Sequence, residues 1–431
     1  MNRLGLGAVV VACVLSSACL GSQTPAQPRK TIRIGVDLPL SGPESRAAAP
    51  ALYGMRFFVE RHPTLDGFDV SLRTADDRGD PNLGAASVRA FLTDPKVVAM
   101  LGPFDAAAAR LEIPVANAAG LAMVSPATSN PCLTRDVFTP ARLNPARTDI
   151  TCKQAGLPGA SDLRPTKINN FFRLTTTDDL QGAAAADYAF YKLHVLRSGV
   201  ITDHEAYGQG LAYAFSARFA SLGGTVLGRF ELDPKNPSAT AFLGSMKDAG
   251  AQAIYYGGGT QGGGCGVRSE MAGLFPAGEA APFLGGDGIA EDPACVSLAG
   301  PNSAGIFATV PIVDANTRPD AAATIRDFKA TFGNTAEYGP YTVVAYDATA
   351  VLYAALDRAI RDAGGGFPDR AAVTARVAET SGLAGATGNL GFDPAGDTTN
   401  RVVSVVEATG SNPRAAWKPV DAVDYSARLP Y

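Results

Sequence analysis

Histidine, tryptophan and cysteine are all scarce in this chain of 431 residues, which contains three His, one Trp and six Cys. The spacing of His62, His194 and His204 is typical neither of a zinc site nor of a Ser-His-Asp triad. A G-x-S-x-G motif is also missing. These absences argue against a zinc enzyme and a serine hydrolase, and we expect no catalytic residues, no cofactor and no metal.

An excess of charge of one sign is missing as well. The chain has 37 Lys and Arg against 41 Asp and Glu, a net charge of −4. Without a basic surplus, nucleic acid is not an expected partner. No apolar run after residue 30 has the length of a transmembrane helix. What is present is 46% hydrophobic residues, enough for the packed cores of two or three domains.

The N-terminus has the pattern of an export signal. Arg3 precedes the uncharged apolar stretch from Leu4 to Leu15, which has the length of a signal-peptide core and is too short to span a bilayer. The next residues, Leu15-Ser-Ser-Ala-Cys19, are similar to the lipobox at which bacterial lipoproteins are cleaved and lipidated. The pattern therefore predicts an exported protein of the periplasm or cell surface.

We predict a signal peptide over residues 1–18, lipidation of Cys19, and a flexible tether over residues 19–30 that is rich in Gln, Pro, Ser and Thr. The lipid would anchor the protein to a membrane. Two alternatives are a lipobox that ends at Cys13 and an ordinary secretory signal that is cleaved near Ala18.

The four remaining cysteines are an even number in an exported chain, which favours disulfides. Three pairings are open, with buried free thiols as the alternative. We choose the two local pairs, Cys132–Cys152 and Cys265–Cys295, because each would close one loop region.

Short apolar runs alternate with helical patterns from Lys30 onward, which indicates parallel β-sheets covered by helices on both faces. The rhythm is interrupted over Asn130–Asn170 and then resumes, so the sequence predicts two α/β lobes. Two helices, predicted over Ile325–Phe332 and Val343–Arg361, and two late strand-like segments would complete lobes that began earlier.

Two motifs in this pattern have a structural and a functional interpretation. Asp76, Asp77 and Asp80 form the densest carboxylate cluster, but neighbouring side chains of an extended chain point apart, so turn and cap hydrogen bonds are favoured over acid–base catalysis. The glycine-rich stretch 257–266 lacks the Lys-Ser/Thr end of a phosphate-binding loop. We interpret it as a tight loop that allows close backbone approach.

Loops at the predicted strand ends carry hydroxyls, backbone N–H groups that precede helices, and carboxylates. Helix N-termini favour an anionic group, and a facing carboxylate favours an ammonium. Together they predict a site for a zwitterion. The loops begin at Leu40, Gly102, Ser125, Tyr207, Gly259 and Gly285.

Several stretches resemble, in order and spacing, the branched-chain amino acid (Leu/Ile/Val-type) substrate-binding proteins of ABC transporters, which have the type I periplasmic binding protein fold. The resemblance extends from about residue 31 to 410. The stretches that carry it are Ile32–Pro43, Asp76–Pro81, Val124–Pro131, Phe172–Gly182, Ala206–Ala212, Tyr255–Gly258, Phe283–Gly288, Tyr346–Ala348 and Gly388–Asp397.

The resemblance implies an α/β fold of two doubly wound parallel-sheet lobes joined by a three-strand hinge, with crossings near Arg173, Thr309 and Ala386. It also implies closure of the lobes on a small amino acid-like ligand, which is then delivered to an ABC-transporter permease. The predicted lobes comprise residues 31–173 with 310–386, and 174–309 with 387–431.

The resemblance also implies a set of ligand-binding residues. Ala127, Thr128 and Ser129 would hold the ligand carboxylate. Tyr207 would form the second lobe's wall, and Asp287 would meet the ammonium. Further cleft positions are Ser41, Phe104, Asp105, Ala106 and Gly259.

Some positions depart from the family pattern. Ala106 and Ala107 stand where relatives usually carry a Ser, and Gly259 and Ala47 stand where a Tyr may occur. We therefore expect a wider pocket and a larger ligand, stacked on Phe104 or Tyr207, rather than Leu, Ile or Val. The long insertion Thr134–Asn169 would reshape the cleft mouth or cover the surface.

Two other functions are weighed against transport. The same fold serves as the sensing half of signalling receptors, but the sequence shows no kinase, DNA-binding or transmembrane segment. An enzyme would convert its ligand, and no residue pattern here supports one.

Overall fold

The computed structural model describes Met1 and residues 30–233, 235–275, 281–333, 338–410 and 417–427. The predicted signal peptide, the tether, Cys13 and Cys19 lie outside these residues. Among the described helices, none combines the length and the apolar character that a membrane crossing requires.

Seventeen strands form in the described residues. In chain order they are β1 Lys30–Leu38, β2 Thr64–Leu65, β3 Phe68–Asp76, β4 Val97–Leu101, β5 Ala122–Ser125, β6 Val137–Thr139, β7 Ile150–Thr151, β8 Phe171–Arg173, β9 Arg197–Thr202, β10 Thr225–Glu231, β11 Ala253–Gly257, β12 Phe283–Gly285, β13 Ile306–Val310, β14 Leu383–Gly385, β15 Gly388–Leu390, β16 Val402–Ala408 and β17 Trp417–Asp424.

The same residues form twelve α-helices. These are α1 Ser45–Arg61, α2 Pro81–Leu92, α3 Ala106–Ala118, α4 Ala160–Leu163, α5 Asp178–Tyr191, α6 Ala206–Ser221, α7 Thr240–Asp248, α8 Gly264–Leu274, α9 Pro293–Ala299, α10 Ala322–Phe332, α11 Tyr341–Asp362 and α12 Arg370–Ala378.

Two sheets organise the molecule. The first has the strand order β2-β3-β1-β4-β5-β8, and the second has the order β10-β9-β11-β12-β13-β16-β17. The central strands of each are parallel and fully buried, as in β4 and β11. Burial on both faces explains their uninterrupted apolar sequences. The predicted class, two α/β lobes with wound parallel sheets, is confirmed.

The second sheet differs from the prediction at one edge. Strand β16 runs antiparallel to β13, and β17 runs antiparallel to β16, so this sheet is mixed. Helix α11 also begins at Tyr341, two residues before the predicted start, after the turn that contains Pro340. Proline is favoured at a helix start because its missing N–H is not needed there.

The late helices belong to the first lobe. Gly54 of α1 lies against the backbone of Thr342 in α11, where any Cβ would overlap the Thr342 carbonyl. Aromatic side chains fill the rest of the interface between α1 and α11. The centroid of the Phe58 ring lies 4.9 Å from those of both Tyr346 and Tyr353. The small residue permits close helix contact, and the aromatic residues fill the remaining space.

Three chain segments connect the lobes, residues 174–177, 311–321 and 391–401. Hydrogen bonds link these segments to one another and to β8. The Thr176 amide donates to the Pro311 carbonyl at 2.7 Å, which joins the first two segments. The Arg173 side chain, which is fully buried, donates from Nε to Asp397 at 2.8 Å and so joins β8 to the third. The residue limits predicted for the lobes stay predictions.

The insertion after β5 packs on both lobes. On the first lobe, Asn117 of α3 accepts hydrogen bonds from the amide and hydroxyl of Thr166, at 3.0 and 2.8 Å. On the second lobe, Leu143 is buried among alanines of α5 and α6. Phe138 contacts α6 at Gly210, where a Cβ would be 3.0 Å from the ring. The insertion therefore braces the lobes as well as covering the surface.

Both disulfides form with the predicted pairing. Cys132–Cys152 closes the first part of the insertion, and Cys265–Cys295 joins α8 to α9 in the second lobe. The four cysteines of these bonds are buried, and Cys132 and Cys152 pack with Phe138.

We expect the double substitution Cys132→Ser/Cys152→Ser to lower the free energy of unfolding by about 3 kcal/mol, because the bond closes a loop of sequence separation 20. Urea denaturation measures this loss. Limited proteolysis should then cut within residues 134–169. The pair Cys265→Ser/Cys295→Ser is the control, since it should lower stability without exposing the insertion. An insertion that resists protease equally in both variants would contradict the bracing role of the first bond.

Candidate functional site

Asp287 follows β12 at the carboxyl end of the second sheet, where ligands of open α/β sheets bind. The turn before it depends on Gly286. A Cβ at that position would lie 2.5 Å from Leu211 and 2.7 Å from the Tyr207 hydroxyl. Glycine therefore allows the turn to pack against α6, and this packing fixes the position of the carboxylate.

Three neutral donors meet the Asp287 carboxylate. Tyr207 and Gln181 of the second lobe donate to Oδ1, both at 2.7 Å. Tyr341, at the start of α11 in the first lobe, donates to Oδ2 at 2.5 Å. Burial, reinforced by Asp287, raises the pKa of both tyrosines well above the usual range, so both hydroxyls keep their protons. Asp287 thus accepts hydrogen bonds from both lobes.

Aromatic rings and glycines surround this carboxylate. Phe104, after β4 of the first lobe, packs edge-on against Tyr341 with a centroid distance of 5.2 Å. On the other side, Gly288 donates its amide to the Tyr207 hydroxyl at 3.0 Å. A Cβ on Gly288 would lie 2.9 Å from the Cα of Gly259. Predicted residues Phe104, Tyr207, Gly259 and Asp287 are therefore brought together.

The residues of the Ser-Pro turn after β5 hydrogen-bond within the protein, and their role toward a ligand carboxylate stays a prediction. The amides of Ala127 and Thr128, predicted to hold the ligand carboxylate, donate to the Ser125 hydroxyl at 3.2 and 3.0 Å. The Thr128 hydroxyl donates to the same oxygen at 2.8 Å. Ser129 instead lies beside Asp178, whose amide donates to the Ser129 carbonyl at 2.9 Å.

Asp178, the first residue of α5, is an acidic residue at the site that the predicted set did not include. It is 1% exposed, and its carboxylate faces the Ser129 side chain. Burial raises its pKa to about 7, with a further contribution from Asp287, while Ser129 and Arg173 oppose the shift. Near neutral pH this carboxyl is therefore poised between its neutral and charged forms.

We expect Asp178→Asn to stabilise the protein above neutral pH. A carboxyl whose pKa is raised by folding stabilises the native state fully below its unfolded pKa, and this contribution is lost as the pH rises through about 7. The amide has no charge to bury, so the variant should gain about 1–4 kcal/mol at pH 8 and little at pH 4. Denaturation curves at both pH values measure the difference.

The exposed helix cap Asp369 supplies the control for that substitution, because Asn is an equally good cap. Asp369→Asn should change stability little at either pH. A variant Asp178→Asn that is less stable than the wild type at pH 8 would show that the charged carboxylate is satisfied in the native state.

The other predicted residues have local partners. The Ser41 hydroxyl donates to Asp76 at 2.6 Å, and Asp76 also accepts the amides of Leu40 and Arg78. Asp105 caps α3 by accepting the amides of Ala107 and Ala108, both at 2.8 Å, and Ala106 begins that helix. Asp80 caps α2. Turn and cap roles therefore account for Asp76 and Asp80, while the ligand roles of Ser41, Asp105 and Ala106 stay predictions.

Sequence reasoning missed Tyr341, Gln181 and Asp178. Gln181 and Asp178 lie within the stretch Phe172–Gly182 that carried the family resemblance. Their position in the first turn of a helix that follows a strand was the available signal. Tyr341 had a weaker signal, the Gly-Pro turn before a long helix.

A family comparison matches residues 31–413 to the family described as periplasmic binding protein. The chain belongs to the periplasmic binding protein family. The resemblance to Leu/Ile/Val-type substrate-binding proteins, predicted from the sequence, is confirmed.

Relatives of this periplasmic binding protein share its length and fold. It is 27% identical over 372 residues to Leu/Ile/Val-binding protein homolog 3 of Brucella melitensis. The matched residues make up 86% of this chain and 89% of that protein. Its fold is similar to that of the leucine binding protein LivK of Thermotoga maritima, with a TM-score of 0.72, 24% identity, and coverage of 92% of this chain and 99% of that one. A solute binding protein of an ABC transporter from Rhodopseudomonas palustris, solved in complex with p-hydroxybenzoic acid, also has a TM-score of 0.72, at 16% identity and 93% and 99% coverage.

Proposed function

We propose that this periplasmic binding protein is a receptor that captures an amino acid or amino acid-like molecule between its lobes and delivers it unchanged to the permease of an ABC transporter. Export by residues 1–18 and anchoring through a lipid on Cys19 are part of the proposal. The relatives named for Leu/Ile/Val binding support the ligand class, and the family supports capture rather than conversion.

The observation that carries the proposal is the position of Asp287 between the lobes. Its carboxylate accepts hydrogen bonds from Tyr207 of the second lobe and Tyr341 of the first. A ligand ammonium that replaced one of these neutral donors would gain a charge-assisted bond, which is about twice as strong. A ligand at this carboxylate would contact both lobes only when they are closed. It would therefore bind the closed form better than the open form, and this difference in affinity couples binding to closure.

The surroundings of Asp287 favour an amphipathic ligand. Phe104, Tyr207 and Tyr341 offer aromatic surface beside the carboxylate. The second carboxyl, Asp178, adds negative charge that interacts with Asp287. We infer a ligand that places an ammonium near these two acids and an apolar or aromatic part against the rings.

A thermal-shift screen of purified residues 31–431 tests the proposal. Amino acids, short amides, aromatic acids and small peptides are the probes. A ligand at 100 times its Kd stabilises the native state by about 2.7 kcal/mol, which a melting curve resolves. We expect one amino acid-like class to raise Tm and to be recovered chemically unchanged. No shift with any amino acid, or recovery of a converted product, would contradict the proposal.

The anchoring part has its own test. The full chain should appear in the membrane fraction, and Cys19→Ser should release it to the soluble fraction. Cys13→Ser is the matched control and should leave the protein in the membrane fraction. If Cys13→Ser releases the protein and Cys19→Ser does not, the lipid is on the other cysteine.

A further inference from the structure

Three carboxyl groups from distant parts of the chain converge inside the first lobe. Asp37 lies on β1, Asp77 follows β3 and Glu112 lies on α3, and each of the three residues is 0% exposed. One carboxylate oxygen from each can be chosen so that all lie within 4.8 Å of one another. This cluster is separate from the Asp287 site, which belongs to the second lobe and α11.

The carboxyl groups of this cluster have no cationic partner in the described part of the chain. Apart from the contacts of Asp37 with Glu112 and Ser87, both oxygens of Asp37, both of Glu112 and Oδ2 of Asp77 have no hydrogen-bond partner there. The remaining oxygen, Asp77 Oδ1, accepts the Gly79 amide at 2.8 Å. Buried carboxylates are expected to be paired or to coordinate a metal.

The electrostatic surroundings make the missing partner more evident. The charged groups that act on these three residues are one another and the further carboxylates Asp76, Asp80 and Asp105. A cation would offset the mutual repulsion of these carboxylates.

A glycine of α2 and an exposed turn flank the cluster. Gly84 of α2 faces Glu112, where a Cβ would lie 2.5 Å from Glu112 Oε1. Asp77 is one residue from the exposed turn Arg78–Asp80, which gives an ion a short route from solvent. The glycine thus lets Glu112 approach α2 closely, and Asp77 places the cluster next to the protein surface.

We propose that Asp37, Asp77 and Glu112 bind one hard divalent cation of the Ca²⁺ class. Ca²⁺–oxygen bonds are 2.3–2.6 Å long, so two ligands of one ion are at most about 5.2 Å apart. The separations in the cluster are within this limit. The ion ties the end of β1 to α3, and these two elements lead into or out of the loops that carry Ser41 and Phe104.

The expectation of no metal rested on the scarcity and spacing of His and Cys, which are not the ligands of a carboxylate site. The positions of Asp37, Asp77 and Glu112 along the chain show no short spacing. The sheet and α3 bring them together, so the signal exists only in the folded protein.

The test uses the purified protein after treatment with EDTA. We expect elemental analysis to find one Ca²⁺ per chain after addition of CaCl₂ and gel filtration, and we expect Ca²⁺ to raise Tm. In Glu112→Gln and in Asp37→Asn the bound ion and the Tm shift should both be lost. The control Asp80→Asn lies in the neighbouring turn and keeps a residue that caps α2, so it should bind Ca²⁺ like the wild type.

Two results would overturn the proposal. One is a folded wild-type protein that retains no Ca²⁺ and shows no Tm shift at millimolar Ca²⁺. The other is a Ca²⁺ response that persists in both Glu112→Gln and Asp37→Asn. If a variant fails to fold, Ca²⁺ content and Tm of the wild type, with Mg²⁺ as the comparison ion, still decide the question.

Discussion

Replacing Arg173 by methionine is expected to lower the free energy of unfolding by about 3–5 kcal/mol, because it removes one partner of a fully buried ion pair. Arg173 is 0% exposed and its Nη2 lies 2.7 Å from Asp397 Oδ1. The same guanidinium donates to the Asn130 carbonyl at 2.7 Å and to the Thr134 hydroxyl at 2.5 Å. Each of these buried acceptors would lose its bond to Arg173.

The buried charge explains the size of this effect. Burial alone would raise the pKa of Asp397, but Arg173 and Arg135 outweigh it, and the pKa lies below its usual range. The carboxylate therefore stays charged in the native state. Loss of Arg173 leaves Asp397 with Arg135 alone, whose Nη2 is 2.7 Å from Asp397 Oδ2.

Urea denaturation of Arg173→Met, compared with Arg61→Met, measures the effect. Arg61 pairs with Asp327 at 3.5 Å in an exposed position, and such pairs contribute about 0–1 kcal/mol. If Arg173→Met loses less than about 1 kcal/mol, the network that joins the lobe connections does not stabilise the fold as the geometry indicates.

Replacing Asp287 by asparagine is expected to weaken binding of an ammonium-bearing ligand about 10- to 100-fold. A hydrogen bond to a charged group contributes about 1.5–3 kcal/mol, and each 1.4 kcal/mol is a factor of ten in affinity. Asparagine keeps the size of the side chain but not its charge. Isothermal titration with the ligand found by the thermal-shift screen measures the loss.

Two further variants separate the effect of the Asp287 charge from effects of the surrounding loop and of the hydrogen bond between the lobes. Asp292→Asn is the matched control from the same loop region, because Asp292 only caps α9 and Asn caps equally well. Tyr341→Phe removes the hydrogen bond between the lobes and keeps the Asp287 charge. We expect unchanged affinity for the first and a smaller loss for the second. Equal losses in Asp287→Asn and Tyr341→Phe would show that lobe contact, not charge, controls affinity.

Local sequence patterns determined most of the architecture. The apolar strands of the two sheets, such as Val97–Leu101, are fully buried as their composition predicts. Helix α3 begins where Asp105 caps its first amides and ends just before Gly120, which has a positive φ. The two disulfides also formed as chosen. All these features depend on periodicity, caps and proximity along the chain.

Residues that act on one another across large sequence distances could not be predicted in this way. Asp287 was predicted, but its partner Tyr341 comes from a helix that returns to the first lobe after the second has formed. Asp37, Asp77 and Glu112 carry no pattern in sequence, and nothing in the sequence indicated that the amides of Ala127 and Thr128 donate to the Ser125 hydroxyl.

The sequence by itself therefore determined the two lobes with their wound parallel sheets, the disulfide pairing and the family. Which side chains face each other across the cleft, and which buried charges are paired, was decided by the tertiary structure. The physical reason is that hydrophobic periodicity and capping act within a few residues, whereas electrostatic pairing and close packing depend on distances that only the completed fold sets.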